Sequence, residues 1–378
     1  MQKINFRIFF LLGFVLATFS VNAIEPKSPK IGAKSYILQD FNSGKIVAEL
    51  NSTSRIEPAS LTKMMSNYVI ENELKLGNIQ LTDEVKISKK AWKMPGSRMF
   101  IEVNTKVSVE DLLKGIIIQS GNDATVAMAE YIAGTEDAFV SLMNEYAKQL
   151  GMLGTHFVNA TGLPHEDHFT TAEDLAKLVR AIIKDFPEHY AWYSEKQFTF
   201  NGIKQYNRNK LLWQDKYVDG VKTGHTESAG YCLASSALKG DMRLISVVLG
   251  TDSERARATE SQKLLTFGFR FYETHRLYEA NAKLTTAQIW KGDVESLDLG
   301  LKEDLWVTIP RGQYKTLKAT MSLDPKIIAP AKKGQVFGSV NVNLEGKPFL
   351  SRDLAALSNV QEGGLVSGLI DEVKMLFD

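Results

Sequence analysis

Three short motifs within the first 224 residues carry side chains that could perform acyl transfer. They are Ser60-Leu-Thr-Lys63, Ser120-Gly-Asn122 and Lys222-Thr-Gly224. Ser60 stands where a helical apolar pattern begins, and the positive end of a helix dipole favours a developing alkoxide. Lys63 follows one turn later on the same face, so its amine can reach the Ser60 hydroxyl. The pair therefore predicts a serine nucleophile beside a lysine base.

Each motif on its own has an ordinary structural interpretation. Ser60 fits a helix cap and Lys63 fits a solvated lysine of a first turn. The chain also contains chance matches, Ser236-Ala-Leu-Lys239 and Ser339-Val-Asn341, which lack the placement at a helix start. The joint occurrence of all three motifs in this order favours the catalytic interpretation.

Longer stretches around these motifs resemble one enzyme family, the D-alanyl-D-alanine carboxypeptidases among the low-molecular-mass penicillin-binding proteins. The three motif types are signatures of penicillin-binding proteins and class A β-lactamases. The resemblance extends over most of the chain, including its C-terminal part. The stretches that carry it are Pro58–Met65, Gln119–Ala124, Asn207–Asn209 and Asp219–Thr226.

The resemblance implies a role for each motif residue. Ser60 would attack the carbonyl of the penultimate D-alanine of a peptidoglycan stem peptide, and Lys63 would take its proton. A lysine acts as a base only if burial or another cation lowers its pKa, and Lys222 is the candidate for that cation. Ser120 would relay a proton to the departing D-alanine. Asn122 would bind the substrate amide or orient Lys63.

The same resemblance implies a substrate-binding strand. The backbone N–H groups of Ser60 and His225 would hold the oxyanion. Thr223 would bind the terminal carboxylate, with help from Arg208 or Arg257. Gly224 would leave room for a substrate lying along the strand edge. The resemblance implies neither a cofactor nor a metal.

The leading prediction is a carboxypeptidase that removes the terminal D-alanine and is acylated by β-lactams. Two alternatives remain, namely a penicillin-binding cell-wall protein with negligible turnover and a DD-endopeptidase acting on cross-links. A β-lactamase is disfavoured because Gly121 replaces the aspartate of that class's second motif. Glu166, in the region of the deacylating glutamate, lacks the surrounding pattern and is interpreted as a loop acid.

Composition excludes several other functions. The chain has 378 residues, 44% of them hydrophobic, and a formal charge of +1, so it has no basic surface typical of nucleic-acid binding. The one cysteine, Cys232, can form neither an internal disulfide nor a paired-cysteine zinc site. His156, His165 and His168 lack the helical spacing of a metal site and indicate a loop.

The elements that must position these motifs predict an α+β fold. Strand patterns at Ser35–Asp40, Lys45–Glu49, Tyr231–Ser235 and Leu244–Leu249 enclose a helix-rich middle. We therefore expect a β-lactamase/transpeptidase-like domain over residues 24–275, with an antiparallel sheet covered by a helical cluster. Short strands between turns then predict a small all-β sandwich domain over residues 276–361.

The two ends of the chain predict export and membrane attachment. Residues 1–23 are predicted to be a signal peptide, because Lys3 and Arg7 precede an apolar run. The alternative is an uncleaved N-terminal membrane anchor. Residues 362–378 predict an amphipathic helix. The resemblance implies that it lies on the outer face of the cytoplasmic membrane, which places the protein in the periplasm. Its acidic residues Asp371, Glu372 and Asp378 would be repelled by anionic lipids, and docking of the helix on the β domain or on a partner is the alternative.

Overall fold

The computed structural model describes residues 27–375, so the predicted signal peptide lies outside the described residues. Its N-terminal part is built on a five-stranded antiparallel sheet in the order β2-β1-β9-β8-β7. The strands of this sheet are β1 (Ser35–Asp40), β2 (Ile46–Leu50), β7 (Val218–Thr226), β8 (Gly230–Lys239) and β9 (Met242–Thr251). Two small antiparallel strand pairs accompany the sheet: β3 (Glu84–Lys86) with β4 (Lys106–Ser108), and β5 (Gln197–Phe200) with β6 (Ile203–Tyr206).

Nine helices of the described residues belong to this part. Side-chain oxygens of Ser88, Ser108, Thr135, Thr171 and Ser253 cap five of them, each by accepting the N–H three residues later. The helices are α1 (Thr62–Leu76), α2 (Lys89–Trp92), α3 (Val109–Lys114), α4 (Asn122–Ala133), α5 (Glu136–Gln149), α6 (Ala172–Asp185), α7 (Pro187–Tyr190), α8 (Leu211–Gln214) and α9 (Glu254–Phe271).

The sheet is buried on both faces. Helix α9 packs on one face, where Leu38, Leu244 and Leu264 lie in a common apolar cluster. On the other face a larger cluster joins the sheet to α1, α4, α5 and α6. The predicted antiparallel sheet covered by helices is therefore confirmed, and this packing holds α1 and β7 next to each other.

The C-terminal part is all β, as the sequence predicts. Its core contains Leu297, Leu299, Val340 and Leu354. A five-stranded sheet has the order β11-β12-β16-β15-β14, and β10 pairs with β13. The strands are β10 (Tyr272–Tyr278), β11 (Lys283–Gln288), β12 (Ser296–Gly300), β13 (Leu305–Pro310), β14 (Leu317–Leu323), β15 (Val336–Leu344) and β16 (Lys347–Ala356).

Strand β10 follows α9 directly and crosses the predicted boundary at residue 275. A buried polar cluster joins the two parts here. Thr274 Oγ1 donates to Asp40 Oδ2 at 2.7 Å, and the Ser43 and Thr308 hydroxyls lie 2.6 Å apart. These hydrogen bonds therefore attach the first domain to the β domain.

The terminal helix α10 (Leu365–Lys374) contacts the β domain through its acidic side. The backbone N–H of Lys291 donates to Asp371 Oδ2 at 2.7 Å, and Lys291 Nζ lies 3.3 Å from Glu372. Leu369, Ile370 and Val373 are exposed. Among residues 27–375 no helix is long and apolar enough to span a bilayer.

Candidate active site

The predicted nucleophile lies in a sharp turn that leads into α1. Residues Ala59–Leu61 form one turn of 3-10 helix, and Ala59 has a φ of 48°, which a residue with a side chain rarely adopts. Ser60 is half-buried and lines a cleft of about 410 Å³. The turn thereby presents the Ser60 hydroxyl to the cleft while its neighbours Ala59 and Leu61 are buried.

Lys63 is fully buried one turn below the serine. Its Nζ donates to Ser60 Oγ at 3.1 Å and to the Thr161 carbonyl at 2.6 Å. The Lys63 pKa is lowered to about 7, chiefly by burial and also by the Arg208 charge, while Asp123 acts in the opposite direction. A substantial share of Lys63 is therefore a neutral amine near pH 7 and can accept a proton.

Lys222, at the start of the third motif, is also buried. Burial lowers its pKa well below the usual value, and Lys63, Arg208 and Arg257 act in the same direction. The Arg208 charge acts on Lys63, and Lys63 in turn contributes to the lowered pKa of Lys222. The role of Lys222 as the cation that lowers the Lys63 pKa stays a prediction.

The second motif contributes two buried polar residues, of which Ser120 lines the cleft. Ser120 has a left-handed φ of 65° between the π-helical segment Gly115–Gln119 and α4. Within residues 27–375, Ser120 Oγ and Asn122 Oδ1 have no hydrogen-bond partner. The Asn122 amide donates to the Pro95 carbonyl at 2.6 Å. Within the described residues Asn122 therefore makes no hydrogen bond to Lys63, and its two predicted roles, binding the substrate amide or orienting Lys63, stay predictions.

Residues Thr223, Gly224 and His225 of β7 line the opposite wall. A Cβ atom at Gly224 would lie 3.1 Å from the Pro58 carbonyl and 3.2 Å from Ala59 Cβ. The glycine therefore lets β7 approach the turn that carries the nucleophile. Gly224 also lines the cleft, so room for the substrate stays a prediction for this position.

The two predicted arginines both reach the cleft, from different elements. Arg208 is exposed on a turn whose flanking asparagines are buried, with Asn209 donating to the Gly220 carbonyl at 2.9 Å. Arg257 is buried on α9 and donates to the Gly224 carbonyl at 3.2 Å. The cleft thus has two guanidinium groups near Thr223, which suits an anionic ligand.

Sequence reasoning missed several residues of the site. Asp123, next to the second motif, is buried and accepts N–H groups of Met99 and Phe100 at 3.0 and 2.9 Å. It therefore anchors the segment that supplies Gly96 and Ser97 to the cleft wall. Only the position of Asp123 directly after Asn122 hinted at this. The other missed lining residues are Tyr231 and Glu254.

The loop histidines lie where the sequence placed them, but one of them is structural. His168 is buried, accepts the Val158 N–H at its Nδ1 and contacts Thr62 Oγ1 through its Nε2 at 2.7 Å. Burial lowers its pKa to about 4, so it is neutral near pH 7. Glu166 is exposed in its loop, and Cys232 is buried in β8.

A serine hydroxyl in contact with a buried lysine, facing a Lys-Thr-Gly strand on a helix-covered antiparallel sheet, defines the class of penicillin-binding serine peptidases. Residues 22–253 match the family described as D-alanyl-D-alanine carboxypeptidase. Residues 272–362 match the family described as penicillin-binding protein 5, C-terminal domain. The chain belongs to the D-alanyl-D-alanine carboxypeptidase family, which confirms the predicted family and enzyme class.

Individual relatives agree over nearly the whole length. D-alanyl-D-alanine carboxypeptidase DacC of Escherichia coli K12 is 49% identical over 93% of this chain and 90% of its own. D-alanyl-D-alanine carboxypeptidase DacA of Haemophilus influenzae is 45% identical over 98% of this chain and 97% of its own. The crystal structure of penicillin binding protein 5 from Haemophilus influenzae superposes with a TM-score of 0.86 at 46% identity, covering 89% of this chain and all of that one.

Proposed function

We propose that this cleft removes the terminal D-alanine from peptidoglycan pentapeptides through an acyl-enzyme on Ser60. The 3.1 Å contact between the Nζ of the fully buried Lys63 and Ser60 Oγ is the observation that carries the proposal. The neutral Lys63 amine takes the hydroxyl proton as Ser60 Oγ bonds to the carbonyl carbon of the penultimate D-alanine. The scissile C–N bond then breaks, and the departing D-alanine amine gains a proton through Ser120.

The remaining residues hold the peptide in place for this attack. The backbone N–H groups of Ser60 and His225 stabilise the oxyanion, and each such donor contributes about 10²–10³ in rate. Thr223, with Arg208 and Arg257, binds the terminal carboxylate, which the two guanidinium groups attract. Asn122 offers its unpartnered oxygen to the substrate amide N–H. Lys222 supplies a further buried amine beside Lys63 for proton transfer.

The activity is tested with a synthetic stem peptide ending in D-Ala-D-Ala, followed by mass spectrometry. The wild type is expected to release one alanine, while Ser60→Ala and Lys63→Ala release none. Ser141→Ala, on the exposed side of α5, is the matched serine control and is expected to keep full activity. If no alanine is lost while penicillin still labels Ser60, the carboxypeptidase is excluded in favour of a binding protein or an endopeptidase.

We further infer that the chain is exported to the periplasm and held on the outer face of the cytoplasmic membrane. Residues 1–23 would be the removed signal peptide, residues 24–275 and 276–361 the two domains, and residues 362–378 the anchor. The exposed side chains of Leu369, Ile370 and Val373 support the anchor, because burying such side chains in lipid yields roughly 1.5–3 kcal/mol each.

Vesicle sedimentation tests this attachment. The chain cut after Gln361 should stay in the supernatant and keep its activity on soluble peptide, whereas the chain carrying residues 362–378 sediments. Sedimentation of the truncated chain would exclude the helix as the anchor. Substituting Leu369, Ile370 and Val373 by Ser, with the helix otherwise intact, separates loss of apolar contact from loss of the whole segment.

A further inference from the structure

A single side chain, that of Asn159, organises the loop that contacts Lys63. Its Oδ1 accepts the N–H groups of Thr161, Gly162 and Leu163 at 3.1, 2.7 and 3.1 Å, and the Thr161 hydroxyl at 3.1 Å. Its Nδ2 donates to the Leu163 carbonyl at 2.9 Å. One amide thereby satisfies five polar groups of a tight turn, and so fixes the direction in which the turn's own carbonyls point.

Two carbonyls of this turn are directed at helix α1. The Thr161 carbonyl accepts from Lys63 Nζ at 2.6 Å, and the Ala160 carbonyl accepts from the Ser66 hydroxyl at 2.7 Å. Lys63 and Ser66 lie three residues apart on one helix face, so the turn is attached to successive turns of α1. All four groups are buried, which makes the loss of either contact costly.

The contact to Thr161 determines how Lys63 can act on Ser60. A lysine side chain ends in a freely rotating amine on a flexible stem. As a neutral base, Lys63 has two N–H groups and one lone pair, and only the lone pair can take the Ser60 proton. When one N–H is donated to the Thr161 carbonyl, the amine is held at one position and the lone pair can face Ser60 Oγ.

We propose that Asn159 is a positioning residue for this reaction, acting on Lys63 through the Thr161 carbonyl. This inference rests on the proposed function, in which Lys63 takes the proton of Ser60. Neither Asn159 nor Thr161 is among the described residues that line the cleft. A change at Asn159 therefore alters the acylation step and leaves ligand binding in the cleft unchanged.

The chain contains a matched control for this experiment. Asn144 holds the backbone of Phe157, two residues before Asn159, by the same type of hydrogen bonds. Its Oδ1 accepts the Phe157 N–H at 2.9 Å and its Nδ2 donates to the Phe157 carbonyl at 2.8 Å. Both asparagines are half-buried. Asn144 holds no group that contacts Lys63, so Asn144→Ala loosens the same loop without moving the amine.

The test measures penicillin acylation by stopped flow at pH 9, where the Lys63 amine is neutral, and separates the limiting rate from the dissociation constant of the first complex. Asn159→Ala is expected to lower the limiting rate about 10- to 100-fold, with the dissociation constant within about twofold. Asn159→Asp keeps the accepting oxygen and is expected to stay within about fivefold of the wild type. Asn144→Ala lowers the melting temperature but keeps the wild-type limiting rate.

A wild-type limiting rate in Asn159→Ala, or an equal loss in Asn144→Ala, overturns the inference. If Asn159→Ala does not fold, Asn159→Ser gives the same test, with an expected loss of about tenfold, because its shorter side chain reaches fewer of the N–H groups. Lys63→Ala is measured alongside. A wild-type acylation rate in Lys63→Ala would refute the proposed function. If acylation is slow in Lys63→Ala but as fast as in the wild type in Asn159→Ala, only the role of Asn159 is refuted.

Discussion

The Lys63 amine and the Ser60 hydroxyl are 3.1 Å apart, and the amine is closed off from solvent by its own helix and by the Thr161 carbonyl. This relationship joins the nucleophile to a base whose pKa is lowered to about 7. The cost of burying an amine thus sets the pH range of the reaction.

The acylation rate is expected to rise with pH through an acid limb near pH 7, because only the neutral Lys63 amine accepts the Ser60 proton. Arg208 lowers this pKa, so Arg208→Gln raises it and moves the limb to higher pH by less than about one unit, since Arg208 is exposed. The measurement is the limiting rate of penicillin acylation between pH 5 and 10. Lys210→Gln, an exposed cation on the same turn, is the control and should leave the limb in place. An acid limb at the same pH in Arg208→Gln and in the wild type would contradict this electrostatic role of Arg208.

Lys63→Met is expected to abolish acylation and yet stabilise the fold. The Lys63 pKa is lowered in the folded state, so the unfolded chain binds more protons and wild-type stability rises with pH between about 7 and 10.5. The advantage of the variant is therefore greatest below pH 7, at about 2–4 kcal/mol, and shrinks above it. Urea unfolding at pH 6 and pH 9.5 checks this. A variant less stable than the wild type at pH 6 would show that the contacts of Lys63 outweigh its burial cost.

Gly162→Ala is expected to damage both stability and acylation. Gly162 has a φ of +85°, and a Cβ there would overlap the carbonyl of Ala59 in the nucleophile turn. Gly151 has a similar φ of +69°, but a Cβ there meets nothing within 4 Å. Gly151→Ala is therefore destabilised only by the positive φ, by about 1–2 kcal/mol, and keeps the wild-type acylation rate. Acylation slowed more than about 100-fold is expected for Gly162→Ala alone, and equal rates in both variants would argue against a contact with the turn.

Asp371→Ala is expected to release α10 from the β domain more than Glu372→Ala does. Asp371 accepts a backbone N–H from Lys291, whereas Glu372 makes an exposed ion pair with the Lys291 amine, and such pairs contribute only about 0–1 kcal/mol. Hydrogen exchange of the α10 amides in the full chain measures the release. Faster exchange in Glu372→Ala than in Asp371→Ala would reverse the assigned order of the two contacts.

The local pattern of the sequence determined the elements that carry the motifs. Alternating and helical apolar spacing predicted the β1–β2 hairpin, the strands β8 and β9 and helix α1, because these periods follow from backbone geometry alone. The cap at Ser108 was predictable for the same reason, since its partner lies three residues away. The three motifs also sufficed to indicate the family.

Tertiary structure alone decided how the site is tuned. The Arg208 charge acts on Lys63, and Gly224 lets β7 approach the nucleophile turn. Both effects depend on distances between segments far apart in sequence. Thr161, 98 residues from Lys63, was invisible to any motif because it acts through its backbone carbonyl. Sequence patterns report local geometry and side-chain chemistry, whereas burial, pKa and backbone contacts arise only when distant segments pack together.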